Sequence, residues 1–216
     1  MENGRDDVRS EFSERRTGNR LRFDPSQAVI LVVDMLNDFL EPGGEMVLLS
    51  GRRIIDPLNR LLAEGRRHGM RIVWLCDEHP LDDDREFAKR VPHCRPGTWG
   101  AEIIEAMDVD PGELRIAKRR YSGFYGTDLD LYLREWGARQ VVVTGVVTNI
   151  CVRSTVHDAY FLGYDVFVPE DCVSATSDRE QASSLYDIDT HYGDVVTSGD
   201  LFASLGAAAA GARADG

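Results

Sequence analysis

An acid, a lysine and a cysteine in this sequence have the chemistry of a cysteine hydrolase. Cys151 lies in TGVVTNICV, where it follows an apolar run and opens an amphipathic stretch. A helix N-terminus presents unpaired N–H groups and partial positive charge, and both stabilise a thiolate. Asp34 can take the thiol proton, and Lys118 can stabilise both anions. Each residue also has an ordinary structural explanation: a buried apolar cysteine, a helix-capping acid and a lysine in a solvated loop.

Short apolar runs alternate with longer amphipathic stretches along the chain. The runs are rich in β-branched residues, which is typical of strands that are buried on both faces of a parallel sheet. The stretches between them place apolar residues at helical spacing. This alternation predicts a doubly wound α/β fold. The predicted strands span residues 29–34, 71–77, 114–118, 141–146, 165–168 and 194–197, and the predicted helices lie near 54–69, 129–137, 152–163 and from 177 onwards.

The ends of the predicted strands bring the reactive residues together. In a doubly wound sheet, ligands bind beyond the carboxyl ends of the strands, where the strand order reverses. Asp34, Asp77 and Lys118 end the first three predicted strands, and Cys151 follows the fourth. We therefore expect an acid, a lysine and a cysteine from distant parts of the chain to meet at one edge of the sheet.

The composition favours one domain that acts on small molecules. A chain of 216 residues is expected to form a single core. We place this domain at residues 23–205, between a flexible polar arm (1–22) and a low-complexity tail (206–216). The formal net charge of -12 argues against nucleic acid or an anionic membrane as a partner. We see no membrane-spanning run, secretory signal or CxxC pair, and we expect a cytoplasmic protein with reduced thiols.

Three stretches of the sequence resemble the motifs of the isochorismatase-like cysteine hydrolases. They read VVDMLNDF, KRRYSGFYGTDLD and TGVVTNICVRSTVHDAYFLGY, and the similarity extends over about residues 23–201. The superfamily includes nicotinamidases, N-carbamoylsarcosine amidohydrolases and ureide-cleaving amidohydrolases. The resemblance implies a three-layer α/β/α fold, in which helices cover both faces of a six-stranded, mainly parallel sheet.

The same resemblance assigns roles to five residues. It implies a catalytic triad of Asp34, Lys118 and Cys151, in which the cysteine is the nucleophile. It also implies a cis peptide bond between Val146 and Val147, which turns the N–H of Val147 toward the substrate. That N–H and the N–H of Cys151 would form an oxyanion hole.

A second set of residues resembles the metal site of nicotinamidases. By themselves, the acid and the histidines in DEHP and HCRPGTWG are more typical of a polar surface loop than of a metal site. The resemblance implies that Asp77, His79 and His93 bind one divalent metal ion, zinc or alternatively iron or manganese. Some nicotinamidases have a further histidine shortly after the first motif, and here Arg85 stands near that position. No organic cofactor is expected.

Residues near these motifs are candidates for the walls of a substrate pocket. Phe39 matches an aromatic residue that lines the pocket of the family, and Trp99, Tyr121 and Val146 are further candidates for substrate binding. Aromatic walls suit a flat amide or ureide. Core packing is the alternative for each aromatic residue, and we favour it for Phe124.

The leading hypothesis is a nicotinamidase-like enzyme that cleaves the C–N bond of a small carboxamide through a thioester. The second is a ureide or carbamoyl amidohydrolase that releases ammonia or carbamate, which the YSGF motif and the DIDTHYGDV segment favour. Vinyl ether hydrolysis of the isochorismatase type is less well supported, because those enzymes can act without the cysteine. A non-catalytic relative conflicts with the intact triad. The resemblance also implies a homo-oligomer, either a dimer or a tetramer.

Overall fold

A seven-stranded sheet forms the centre of the computed structural model, which describes residues 19–203. Its strands are β1 (Ala28–Val33), β2 (Arg71–Asp77), β3 (Leu114–Lys118), β4 (Gln140–Val146), β5 (Asp165–Pro169), β6 (Val173–Ser174) and β7 (Asp194–Val196). Six of them lie in the order β3-β2-β1-β4-β5-β7, and β6 pairs with the end of β4. These strand pairs are parallel.

Helices pack on both faces of the sheet. Ile30 and Val32 of β1 belong to one apolar cluster, while Val29, Leu31 and Val33 belong to a second cluster on the opposite face. The first cluster includes the buried side of α2, and the second includes α3 and α4. The predicted three-layer architecture is therefore confirmed. The helices are α1 (Asn37–Leu40), α2 (Ile55–Arg67), α3 (Leu129–Glu135), α4 (Arg153–Phe161) and α5 (Asp178–Asp187), and another begins at residue 198.

The six predicted strands all form, and their bounds differ from the prediction by about one residue at most. Strand β6 was not predicted, because two residues are too short to show a periodic pattern. The chain after β4 also differs from the prediction. Thr148–Val152 forms a π-helical turn before α4, so Cys151 lies in this turn and not in the first turn of an α-helix.

The strand order reverses beside β1, which pairs with β2 on one side and β4 on the other. Strand β3 lies on the far side of β2. Because all these strands are parallel, their carboxyl ends lie at the same edge of the sheet. This edge is where the doubly wound fold is expected to bind ligands.

The predicted arm (1–22) and tail (206–216) lie outside the described residues, except for residues 19–22. Of these four residues, Arg20 and Leu21 contact Asp194 of β7, and the N–H of Leu21 donates to the Asp194 carboxylate (2.6 Å). The domain boundaries stay a prediction. Among the described helices, none is both long enough and apolar enough to cross a membrane.

Candidate active site

The side chains of Asp34, Lys118 and Cys151 meet at the carboxyl edge of the sheet. Asp34 directly follows β1, Lys118 is the last residue of β3, and Cys151 lies in the π-helical turn after β4. The Nζ atom of Lys118 lies 2.8 Å from Asp34 Oδ2 and 3.7 Å from Cys151 Sγ. All three residues are buried. The structure thus brings together the three residues that the strand ends were expected to assemble.

The backbone at the end of β1 sets the direction of the Asp34 carboxylate. Asp34 has a φ of 52°, in the left-handed region that residues other than glycine seldom adopt. Its N–H donates to the Leu75 carbonyl (2.9 Å), and its Oδ1 accepts the N–H of Asp77 (2.8 Å). Both hydrogen bonds tie Asp34 to β2 and leave Oδ2 facing Lys118.

The ammonium of Lys118 is fully buried between two carboxylates. Its Nζ lies 2.8 Å from Asp34 Oδ2 and 3.4 Å from Asp77 Oδ1. Burial alone would lower the pKa of Lys118, but the charges of Asp34, Cys151 and Asp77 raise it well above its usual value. Lys118 is therefore positively charged at neutral pH, and its partners offset the cost of burying that charge.

Burial favours the protonated forms of both the acid and the thiol. It raises the pKa of Asp34 to about 6, although the charge of Lys118 opposes this shift. It also raises the pKa of Cys151 well above its usual value, and again Lys118 opposes the shift. The thiol therefore keeps its proton at rest. The Asp34 carboxylate and the thiol both lie beside the ammonium of Lys118, and the carboxylate is a base that can accept this proton.

The chain between β4 and α4 folds tightly around Cys151. The peptide bond between Val146 and Val147 is cis, as the family resemblance implied. The carbonyl of Val147 accepts hydrogen bonds from the N–H groups of Ile150 (3.0 Å) and Val152 (3.2 Å). These bonds close the π-helical turn that carries the thiol.

Gly145 allows β4 to approach β1 closely just before this turn. Its φ is 95°, and a Cβ at this position would collide with the backbone of Val33. A glycine is therefore required where β4 packs against the end of β1.

Four side chains beside Lys118 form a group that could hold a metal ion: Asp77, His79, Glu86 and His93. We call these four residues the metal cluster. The Nε2 atoms of His79 and His93 lie 3.1 and 3.2 Å from Asp77 Oδ2. Carboxylate oxygens of Glu86 lie 3.8 Å from each of the two nitrogens. All the ligand atoms lie within 4.8 Å of one another. Two imidazole nitrogens and two carboxylate oxygens at this spacing suit a divalent transition metal with ligands at about 2 Å.

The other nitrogen of each imidazole faces an acceptor. His93 Nδ1 lies 2.8 Å from the carbonyl oxygen of Val91, and His79 Nδ1 lies 3.3 Å from Asp84 Oδ2. A proton on Nδ1 leaves Nε2 free to face the centre of the cluster. The surroundings of both histidines therefore suit Nε2 atoms that face the other members of the cluster.

Glu86 was not predicted from the sequence, in which Arg85 stands near the position of a possible extra ligand. Residues Arg85–Ala88 form a 3₁₀ turn, whose first N–H groups are capped by Asp84: its Oδ1 accepts the N–H of Glu86 (3.0 Å). In the structure it is Glu86, and not Arg85, that joins the cluster. Glu86 ends the run DDDRE, but the acids of this run are too closely spaced for one of them to be identified as a ligand without the fold.

A cavity of about 890 Å³ adjoins the site. Phe39 and Val147 line it, and the ring of Phe39 lies 5.6 Å from the imidazole ring of His93. The other lining residues come from segment 46–57, from Arg90 and Ile150, and from segment 170–181. The cavity thus extends from the π-helical turn to the start of α5.

The other predicted substrate-binding residues lie outside the lining of this cavity. The side chain of Val146 is buried in the apolar core, while its neighbour Val147 faces the cavity. Trp99 is 49 % exposed, and Tyr121 is 39 % exposed. Tyr121 lies close to the metal cluster, where burial and the charge of Glu86 raise its pKa.

Known proteins similar to this chain share its fold and its length. The isochorismatase domain matches residues 28–200. The ureidoacrylate amidohydrolase RutB of Caulobacter vibrioides is 31% identical over 219 residues, which cover 88% of this chain and 96% of that protein. An isochorismatase-like hydrolase from Alkaliphilus metalliredigens has 34% identity and a TM-score of 0.79, over 83% of this chain and 99% of that one. A pyrazinamidase of Pyrococcus horikoshii, solved in complex with zinc, has 31% identity and a TM-score of 0.74, over 79% and 99% of the two chains.

The chain therefore belongs to the isochorismatase family. It is a hydrolase, as its three motifs predicted.

Proposed function

We propose that this protein is an amidohydrolase that cleaves the C–N bond of a small carboxamide through a thioester on Cys151. The observation that carries the proposal is the contact of one buried ammonium, Lys118, with both the Asp34 carboxylate (2.8 Å) and the Cys151 sulfur (3.7 Å). This arrangement couples a nucleophile to a base and balances the charges of both. The amidohydrolases among the similar proteins support the same reaction class.

The first half of the reaction forms the thioester. Asp34 takes the proton of Cys151, and the thiolate attacks the carbonyl carbon of the substrate. The resulting oxyanion accepts hydrogen bonds from the N–H groups of Val147 and Cys151. When the C–N bond breaks, protonated Asp34 gives its proton to the leaving nitrogen, and ammonia or an amine departs.

The second half of the reaction hydrolyses the thioester. Asp34, now ionised, takes a proton from a water molecule, which attacks the thioester carbonyl. The C–S bond breaks, the carboxylic acid product leaves, and Asp34 returns a proton to Cys151. Throughout both halves, Lys118 remains charged and balances whichever of the two groups is anionic.

The metal cluster has a donor set that fits a divalent ion, zinc or alternatively iron or manganese. Asp77, His79, Glu86 and His93 would hold the ion, which would supply a Lewis-acidic point for binding a polar atom of the substrate. The similar pyrazinamidase that was solved with zinc supports this assignment.

A ureide or carbamoyl compound is the second candidate substrate. The observation in its favour is the 31% identity with a ureidoacrylate amidohydrolase over 96% of that protein. The carbonyl carbon of a ureide is open to the same attack by Cys151. A dimer or tetramer of this chain and a cytoplasmic location stay predictions.

Ammonia release from a panel of small carboxamides and ureides tests the proposal. We expect release by the wild-type protein, no release by Cys151→Ala, and a loss with a chelator that added zinc reverses. Equal release by Cys151→Ala and wild type would contradict the thioester route. The ratio of carboxamide to ureide turnover decides between the two substrate classes.

A further inference from the structure

Two arginines, Arg53 and Arg90, line the same cavity as Phe39 and Val147. Arg53 lies in the 3₁₀ turn Gly51–Ile54 before α2, and Arg90 follows the turn that carries Glu86. Both arginines are exposed side chains, so they reach the cavity from its open side.

Within residues 19–203, neither the Arg53 nor the Arg90 guanidinium forms an ion pair with an acid, although many other arginines do. Arg53 Nε makes one long hydrogen bond, to the Ser50 carbonyl (3.4 Å). Its neighbour Arg52, which does not line the cavity, pairs with Glu41 at 2.5 Å. The cavity therefore has two cationic groups that are available to a ligand.

The cavity that both arginines line also reaches the turn that carries the nucleophile. Val147 and Ile150 line it, and Ile150 is the neighbour of Cys151 in the π-helical turn. A substrate held at Cys151 can therefore extend into the cavity that Arg53 and Arg90 line.

Three acidic residues line the cavity too, but two of them are already stabilised. Asp171 accepts hydrogen bonds from the N–H (2.8 Å) and Oγ (2.5 Å) of Ser198. Asp178 lies in the first turn of α5, where the positive end of the helix dipole favours an acid. Among the described residues, none of the three acids pairs with Arg53 or Arg90, so the arginine side of the cavity can still receive a negatively charged ligand.

We propose that Arg53 and Arg90 form an anion-recognition subsite, and that the substrate attacked by Cys151 is an amide or ureide that carries a carboxylate. A guanidinium binds a carboxylate through two parallel N–H···O hydrogen bonds, which gives both affinity and orientation. The assignment of the substrate class rests on the proposed function. Anion binding by the cavity does not depend on turnover.

A series of amides that differ only in terminal charge tests the subsite. Succinamate is anionic, butyramide is neutral and 4-aminobutyramide is cationic. The matching ureides are N-carbamoyl-β-alanine, propylurea and 2-aminoethylurea. We expect kcat/KM for the anionic member to exceed that for the neutral member by about tenfold or more, with the cationic member the poorest.

Variants that remove the charge of one arginine show whether that arginine causes the preference for the anionic substrate. Arg53→Gln and Arg90→Gln should each lower kcat/KM for the anionic substrate by about ten- to a hundredfold, and change the neutral one by less than about twofold. Arg90→Lys should recover part of the loss, because it keeps the charge without the bidentate geometry. Arg52→Gln is the matched control, since it removes the same charge from the adjacent residue outside the cavity.

Calorimetric titration of Cys151→Ala with succinamate and butyramide separates the subsite from the reaction. Suppose that Cys151→Ala binds succinamate better than butyramide and that Arg90→Gln abolishes this difference, while wild type turns over no amide or ureide. This result would uphold the subsite and refute the proposed function. Turnover that ignores charge, or that favours 4-aminobutyramide, would overturn the subsite and leave the proposed function standing. If neither binding nor turnover is observed, both the subsite and the proposed function are overturned.

Discussion

Asp77 Oδ1 lies 3.4 Å from the ammonium of Lys118, while Asp77 Oδ2 faces the imidazoles of His79 and His93. Burial would raise the pKa of Asp77, but the charge of Lys118 and the hydrogen bonds from the two histidines lower it. One carboxylate therefore contacts both Lys118 and the two histidines of the metal cluster. Because Lys118 and the metal cluster are buried side by side, a change of charge at one strongly changes the electrostatic energy at the other.

Replacing Lys118 with methionine should destabilise the protein, because it leaves Asp34 and Asp77 buried without their counter-ion. We expect the free energy of unfolding to fall by about 3–5 kcal/mol and activity to be lost. Chemical denaturation followed by circular dichroism measures the first effect. Lys89→Met is the control, since Lys89 is exposed and outside the site.

The double variant Asp34→Asn/Lys118→Met should recover part of the lost stability but none of the activity, since it removes one of the two uncompensated charges. If Lys118→Met were as stable as the wild-type protein, this would show that the lysine does not balance buried carboxylates.

Iodoacetamide should modify Cys151 before Cys172, and activity should fall in step with this modification. Both thiols are buried and have raised pKa values. However, in the proposed mechanism Asp34 removes the proton of Cys151, and Ile150, the residue next to it in the turn, lines the cavity. Mass spectrometry of digested protein at several times gives the two rates. Labelling of Cys151 no faster than that of Cys172 would count strongly against a nucleophilic role, and Asp34→Asn should slow Cys151 labelling selectively.

Glu86→Gln should weaken zinc binding by at least about tenfold, because it removes one of the charged groups of the cluster. Competition with a zinc indicator dye measures the affinity without any assay of activity. Glu78→Gln is the matched control: Glu78 follows Asp77 directly, but its carboxylate is not in the cluster. Equal zinc affinities of the two variants would remove Glu86 from the ligand set.

Alanine at Gly145 should cost more stability than alanine at Gly163. Both glycines have positive φ, 95° and 88°, so each substitution places a Cβ in an unfavourable backbone conformation. Gly163 has open space around it, and we expect a cost of roughly 1–2 kcal/mol. At Gly145 the new Cβ would also collide with Val33, which brings the cost to about 2–5 kcal/mol. Equal unfolding free energies for the two variants would contradict the close packing of β4 on β1.

The strands and the meeting of Asp34, Lys118 and Cys151 were predictable because they depend on patterns that a sequence displays directly. The predicted strands are short apolar runs, and the ends of two of these runs located Asp34 and Lys118. The π-helical turn at Cys151 was not predictable, since over five residues its apolar spacing resembles that of an α-helix. Glu86 stands among other acids in a loop, and only the tertiary fold shows that its carboxylate faces the histidines.

The insertion of β4 beside β1 has a consequence for the nascent chain. Strand β1 pairs with β2 and β4, and β4 leaves the ribosome long after β1, β2 and β3. Until then, one side of Ala28–Val33 offers unpaired backbone groups on an apolar strand, which can pair with another chain and aggregate. The arrival of Gln140–Val146 covers this edge, and it brings the turn that carries Cys151 to the site. Protection from aggregation and assembly of the nucleophile's surroundings therefore occur in the same step of biosynthesis.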